Sequence, residues 1–122
     1  MKTTGLALVM LLACGSERKL SDVPTAAELP ELVAKYEAFI TKVAEVTKSG
    51  DCAAKGAALA PLFVLHKDTD ARMIAAMSDP ALRDELQRQI DARGDKISSP
   101  EIAFIEVKQA CSGKPGFPTY SP

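Results

Sequence analysis

Between residues 29 and 46 the apolar side chains recur at steps of three and four: Leu29, Leu32, Val33, Tyr36, Phe39, Ile40, Val43 and Val46. That spacing follows the 3.6-residue turn, so all of them lie along one stripe of a helix. Lys35, Glu37, Lys42 and Glu45 take the other side. A stripe of this length must be buried, and the rest of the chain offers only helices to bury it against. Nowhere do valine, isoleucine and threonine alternate with polar residues over the length of a strand. Tryptophan is absent, aromatics make up 5% of the chain and alanine is frequent. Alanine is the strongest helix former and lets helix axes approach closely. The expected fold is all-α: a small up-down helical bundle of four to five helices with an irregular C-terminal tail.

Local signals punctuate the helices. Thr25 and Glu28 have capping-box spacing, and Pro30 suits the first position of a helix, which predicts a turn over 25–29 and the main helix from Pro30. Ser49-Gly50 ends it, with glycine as the left-handed cap. Asp51 is a good N-cap for a second helix whose Cys52, Gly56, Leu59, Phe63 and His66 share a face. Gly56 suggests a close helix crossing, and Pro61 should kink the helix. Lys67-Asp68-Thr69-Asp70 reads either as a solvated mid-helix turn or as a break between two helices. Ser78-Asp79-Pro80 is a clear restart, followed by the thin stripe Leu82, Leu86, Ile90 and closed by Gly94. Ser98-Ser99-Pro100-Glu101 repeats the cap-proline-acid pattern and predicts the start of the last helix, with Phe104, Val107 and Cys111 along one side. A strand over 102–107 is the weaker reading, because a Ser-Pro-Glu start and a Lys-Gln-Ala continuation favour helix. Residues 113–122 are too rich in proline and glycine for regular structure. Phe117 and Tyr120 within them either pack on the bundle, belong to a disordered tail, or form a docking peptide for an envelope partner.

The amino terminus reads as an address. Lys2 supplies a positive charge, and Gly5 to Ala13 is apolar without a break. A membrane-spanning helix needs about 20 apolar residues; this run is roughly half that, as in a signal peptide. It stops at Leu11-Leu12-Ala13-Cys14, after which the chain turns polar at once. These residues resemble the lipobox of bacterial lipoproteins. The resemblance implies cleavage between Ala13 and Cys14, acyl chains such as palmitate on the Cys14 thiol, and acylation of the new amino group. Gly15 is not the aspartate associated with inner-membrane retention, so the resemblance points to the outer membrane, facing the periplasm. Expected organisation is then a signal peptide at 1–13, a lipidated cysteine and tether at 14–24, a helical-bundle domain at 25–112 and a Pro/Gly-rich tail at 113–122. The tether from Gly15 to Val23 reaches roughly 30 Å when extended.

Export changes the reading of the other two cysteines. In an oxidising envelope Cys52 and Cys111 are expected to form a disulfide. A redox or metal role is weaker, since there is no C-x-x-C spacing and the single histidine is not adjacent in sequence to either thiol. The bridge also constrains topology. Two long middle segments would leave Cys52 and Cys111 at opposite poles, so a break near Asp68–Asp70 or a short side-packed helix is needed to bring them together. The former gives the expected count of four to five helices.

Charge excludes one class of partner. Fifteen Lys and Arg against 16 Asp and Glu leave a net charge of −1, without the basic stripe that nucleic acid requires. Candidate chemistry is thin. His66, Met73 and Met77 share a helical face with Asp70, and imidazole with thioether suits copper or haem iron. However, His66 and Met77 are about 16 Å apart along a continuous helix, so the set cannot share one ion. Methionines filling core irregularities is the plainer reading. The acidic neighbours Asp68 with Asp70, and Asp79 with Asp84 and Glu85, read as solvated faces or caps rather than a catalytic pair. The function expected is that of a membrane-anchored periplasmic helical lipoprotein. It is a non-catalytic accessory or binding module of the cell envelope, without a cofactor, held to its membrane by lipid and open to an envelope protein partner. The alternative is a periplasmic metal or haem binder using His66 and a methionine.

Overall fold

A computed structural model describes residues 23–118. A single 3-10 turn, Ala26–Glu28, leads into α1, Leu29–Val46; then follow α2, Cys52–Met77, α3, Pro80–Ala92, and α4, Asp95–Cys111. The described residues form an all-α bundle without strands.

Short-range chemistry sets most of the boundaries. The Glu28 carboxylate accepts the Thr25 backbone N–H at 2.8 Å, and Pro30 sits in the first turn of α1. The chain leaves α1 through Gly50, whose φ of 91° falls in the left-handed region. Asp51 accepts the Ala54 N–H at 2.8 Å and Asp79 the Ala81 N–H at 2.9 Å. Both thus satisfy donors that a helix start leaves open.

Two apolar clusters stack along α1. The lower one joins Leu29, Leu32 and Val33 to Ala76 of α2, Leu82 and Leu86 of α3 and Ile97 of α4. The upper one joins Ile40 and Val43 to Leu59, Phe104, Cys111 and Phe117. Tyr36 packs against both. The chain therefore rises in α1, descends the full length of α2 and rises again in α4, parallel to α1. α3, only 13 residues long, packs on α2 and α1 at the lower end, with Arg93 paired to Glu37 at 2.7 Å.

Three sequence expectations are corrected here. First, α2 does not break at 67–70; it runs unbroken for 26 residues, about 39 Å. Lys67, Asp68 and Asp70 are exposed on it while His66, Ala75 and Ala76 on either side are buried, so tertiary contacts hold the helix through its polar stretch. Because the short α3 stays packed at the lower end, α4 is what carries the chain back up to the pole of Cys52. Second, α4 begins at Asp95, not near Pro100. Ile97 is 1% exposed, and it reaches the lower cluster because the helix is already formed there. Pro100 lacks the N–H that would bond the Lys96 carbonyl, but Lys96 is exposed and water can serve it. The same reasoning covers Pro61 within α2, whose unbonded carbonyl would belong to exposed Ala57. Third, Gly56 marks no helix crossing. A Cβ there would collide with the backbone carbonyl of Gly116, so the segment after α4 is what passes over it.

Candidate functional site

At mid-height, where the two clusters meet, the core becomes aromatic and polar. Tyr36 and Phe39 project from α1, Phe63 and His66 from α2, Glu101 and Phe104 from α4. His66 lies flat on Phe39, with ring centroids 3.7 Å apart and planes 5° from parallel. Phe63 meets the edge of Phe39 at 5.4 Å and approaches Phe104 at 6.1 Å. The Tyr36 hydroxyl donates to the Glu101 carboxylate.

Electrostatics follow from this placement. Burial holds the His66 imidazole below the usual histidine value, opposed by the Asp70 carboxylate one turn on. Burial pushes the Tyr36 phenol up, and the hydrogen bond to Glu101 pushes it further. Tyr36 therefore stays a phenol and Glu101 is occupied as its acceptor. The pair fastens α1 to α4.

Grooves flank this layer. One runs between α1 and α2 beside Ala38, Phe39, Leu62, Leu65 and His66. Another lies along α1 and α4 beside Phe39, Ile40, Phe104, Ile105 and Lys108, with the Lys108 ammonium 5.1 Å over the Phe104 ring. Both are lined mainly by apolar side chains and open to solvent. Of their linings Leu65 and Ile105 are exposed apolar residues, as are Val64 on α2 and Ile102 on α4.

The expected site residues fall as follows. Cys52 and Cys111 are joined, with Cα atoms 5.5 Å apart, and the bond ties the start of α2 to the end of α4. Cys14, the lipidation candidate, and Tyr120 lie outside the described residues. His66, Met73 and Met77 sit on one continuous helix but go to different places. His66 stacks on Phe39, Met73 packs against the lower cluster, and Met77 is partly exposed at the end of α2. They do not fit a common metal or haem iron. Among the described residues no group of three His, Cys, Asp or Glu side chains is placed to hold a metal ion. Phe117 is 8% exposed within the upper cluster, so this part of the tail is packed.

Sequence reasoning passed over one feature. From Gly56 to Leu65 no residue carries a polar side chain, and α2 is therefore apolar on all sides over that stretch. The run itself was the available signal, since a helix of this kind is normally covered all round. Here Ala57, Ala60, Pro61, Val64 and Leu65 are exposed. No family model, no curated protein and no solved structure matches this chain.

Proposed function

We propose that this chain is a lipid-anchored lipoprotein of a bacterial envelope, facing the periplasm from the outer membrane as a non-catalytic accessory or binding module. The observation that carries the reading is the use of the three cysteines. Cys52 and Cys111 take each other, and such a bond persists in an oxidising compartment. The remaining cysteine is Cys14, at the end of an apolar leader and in a lipobox-like context. The binding role is supported by the groove along α1 and α4 and by the exposed Ile102 and Ile105 on α4.

Growth with labelled palmitate tests the anchor. The label is expected on this polypeptide and lost in Cys14→Ser, with the precursor retained at its higher mass. An unlabelled wild-type chain would overturn the reading. Purification from detergent-solubilised membrane identifies the partner that the module holds.

A further inference from the structure

We propose that the outward face of α2 between Ala57 and Leu65 rests on the bilayer to which the chain is anchored, so that the domain lies on its side along the membrane. This inference builds on the lipid-anchored reading above. Val64 and Leu65 are 73% and 81% exposed, and Ala57, Ala60 and Pro61 continue the same uncharged surface. The stretch is about 12 Å long. A helix facing water ordinarily carries charge outward, as α1 does with Lys42 and Glu45 and α3 with Arg83 and Asp84.

The length of chain preceding the described residues says what covers this face. Val23 packs on the lower cluster, to which Ala76 near the end of α2 also belongs. Leu65 is eleven residues back along α2, about 16 Å. The tether from Gly15 to Val23 is nine residues, an extended reach of roughly 30 Å, so the face is within range of the surface that holds the acyl chains. Tethering makes the contact intramolecular, and a patch too weak to recruit a free protein then suffices. Helices with one apolar face lie in the plane of the interface in this manner. Because the stretch itself is uncharged, with Lys67 and Asp68 of opposite sign only at its far end, the contact is apolar. It requires no anionic lipid and is insensitive to salt.

The test uses the full lipidated chain in phosphatidylcholine vesicles containing nitroxide-labelled lipid. With Cys14 acylated and Cys52 bonded to Cys111, an introduced thiol takes a fluorophore specifically. A label at Val64→Cys is expected to be quenched at least about threefold more than one at Glu106→Cys on the outer side of α4. The difference persists in molar salt and when phosphatidylglycerol is added. Leu65→Asp abolishes it, and Ala57→Leu, which adds apolar surface, enlarges it. These positions are exposed, so helical circular dichroism is expected to stay unchanged in every variant. Vesicle flotation with equal quenching at the two sites overturns this face while leaving the anchor intact. Failure to float overturns the anchored reading and this inference together. Loss of quenching in Ala57→Leu, with sedimentation showing a wild-type dimer, would assign the face to a second copy packed closely over the alanines, and would equally overturn it.

Discussion

Single side chains decide how the layer at mid-height responds to pH. His66 has a folded-state value below its unfolded one, because burial disfavours the imidazolium. Its contribution is therefore fully present above the unfolded value of about 6.5 and is lost as pH falls through that value toward the folded one. Unfolding midpoints measured in urea should decline from neutral pH toward pH 5, and His66→Gln should flatten that slope. Below the usual carboxylate range a second decline is expected from Glu28 and Glu85. Glu28 is held low chiefly by the Thr25 backbone N–H and then by Arg72; Glu85 is held at about 2 by Arg88 and then Gln89. Gly56 gives a test of opposite sign to the usual helix rule. Glycine to alanine within a helix normally stabilises by up to about 1 kcal/mol. Here the added methyl meets the Gly116 carbonyl, a backbone atom that cannot simply rotate away. Gly56→Ala should destabilise by roughly 1–3 kcal/mol in urea unfolding and expose the segment around Phe117 to protease. A more stable variant would show that the tail is not packed there.

Helices show how unevenly their limits can be read. Asp51 and Asp79 act within three residues of their own position, so sequence alone locates the starts of α2 and α3. Asp51→Ala and Asp79→Ala should each cost about 1 kcal/mol, measurable as a lower urea midpoint. The 67–70 stretch and the start of α4 were not legible in the same way. Their local signals describe what a segment prefers in isolation, whereas the burial of His66, Ala75, Ala76 and Ile97 is decided by partners from distant parts of the chain. Pro61 illustrates the balance from the other side. An interior proline costs up to about 3 kcal/mol. Pro61→Ala restores the N–H facing the Ala57 carbonyl and should raise stability toward that figure. An unchanged midpoint would mean that the helix has already adjusted around the proline. The apolar stretch 56–65 was visible all along, but only the packing revealed which of its sides is left uncovered.

For the molecule as a whole, the disulfide is the strongest single constraint. It joins residues 59 apart and encloses α2, α3 and α4 in one loop. In the chain-entropy model a loop of that size contributes about 4 kcal/mol, an upper figure. Domains are stable by about 5–15 kcal/mol in total. Reduction, or Cys52→Ala with Cys111→Ala, should therefore lower the urea midpoint severely while leaving much of the lower cluster's helix content. Protease access to the segment around Phe117, set against circular dichroism, would separate loss of the upper cluster from global unfolding. Equal stability in oxidised and reduced forms would remove the bond from the account. The upper cluster should loosen first, since Cys111 and Phe117 belong to it.

The helical nature of the chain, the stripe of α1, the caps at Asp51 and Asp79 and the pairing expected of Cys52 with Cys111 follow from sequence by itself. Each depends on residue spacing or on contacts within a turn, with compartment added for the cysteines. The continuity of α2, the sideways placement of α3, the early start of α4, the passage of the tail over Gly56 and the stacking of His66 on Phe39 were decided only in three dimensions. Each of these turns on which surface a distant segment leaves free, a quantity that no local pattern contains.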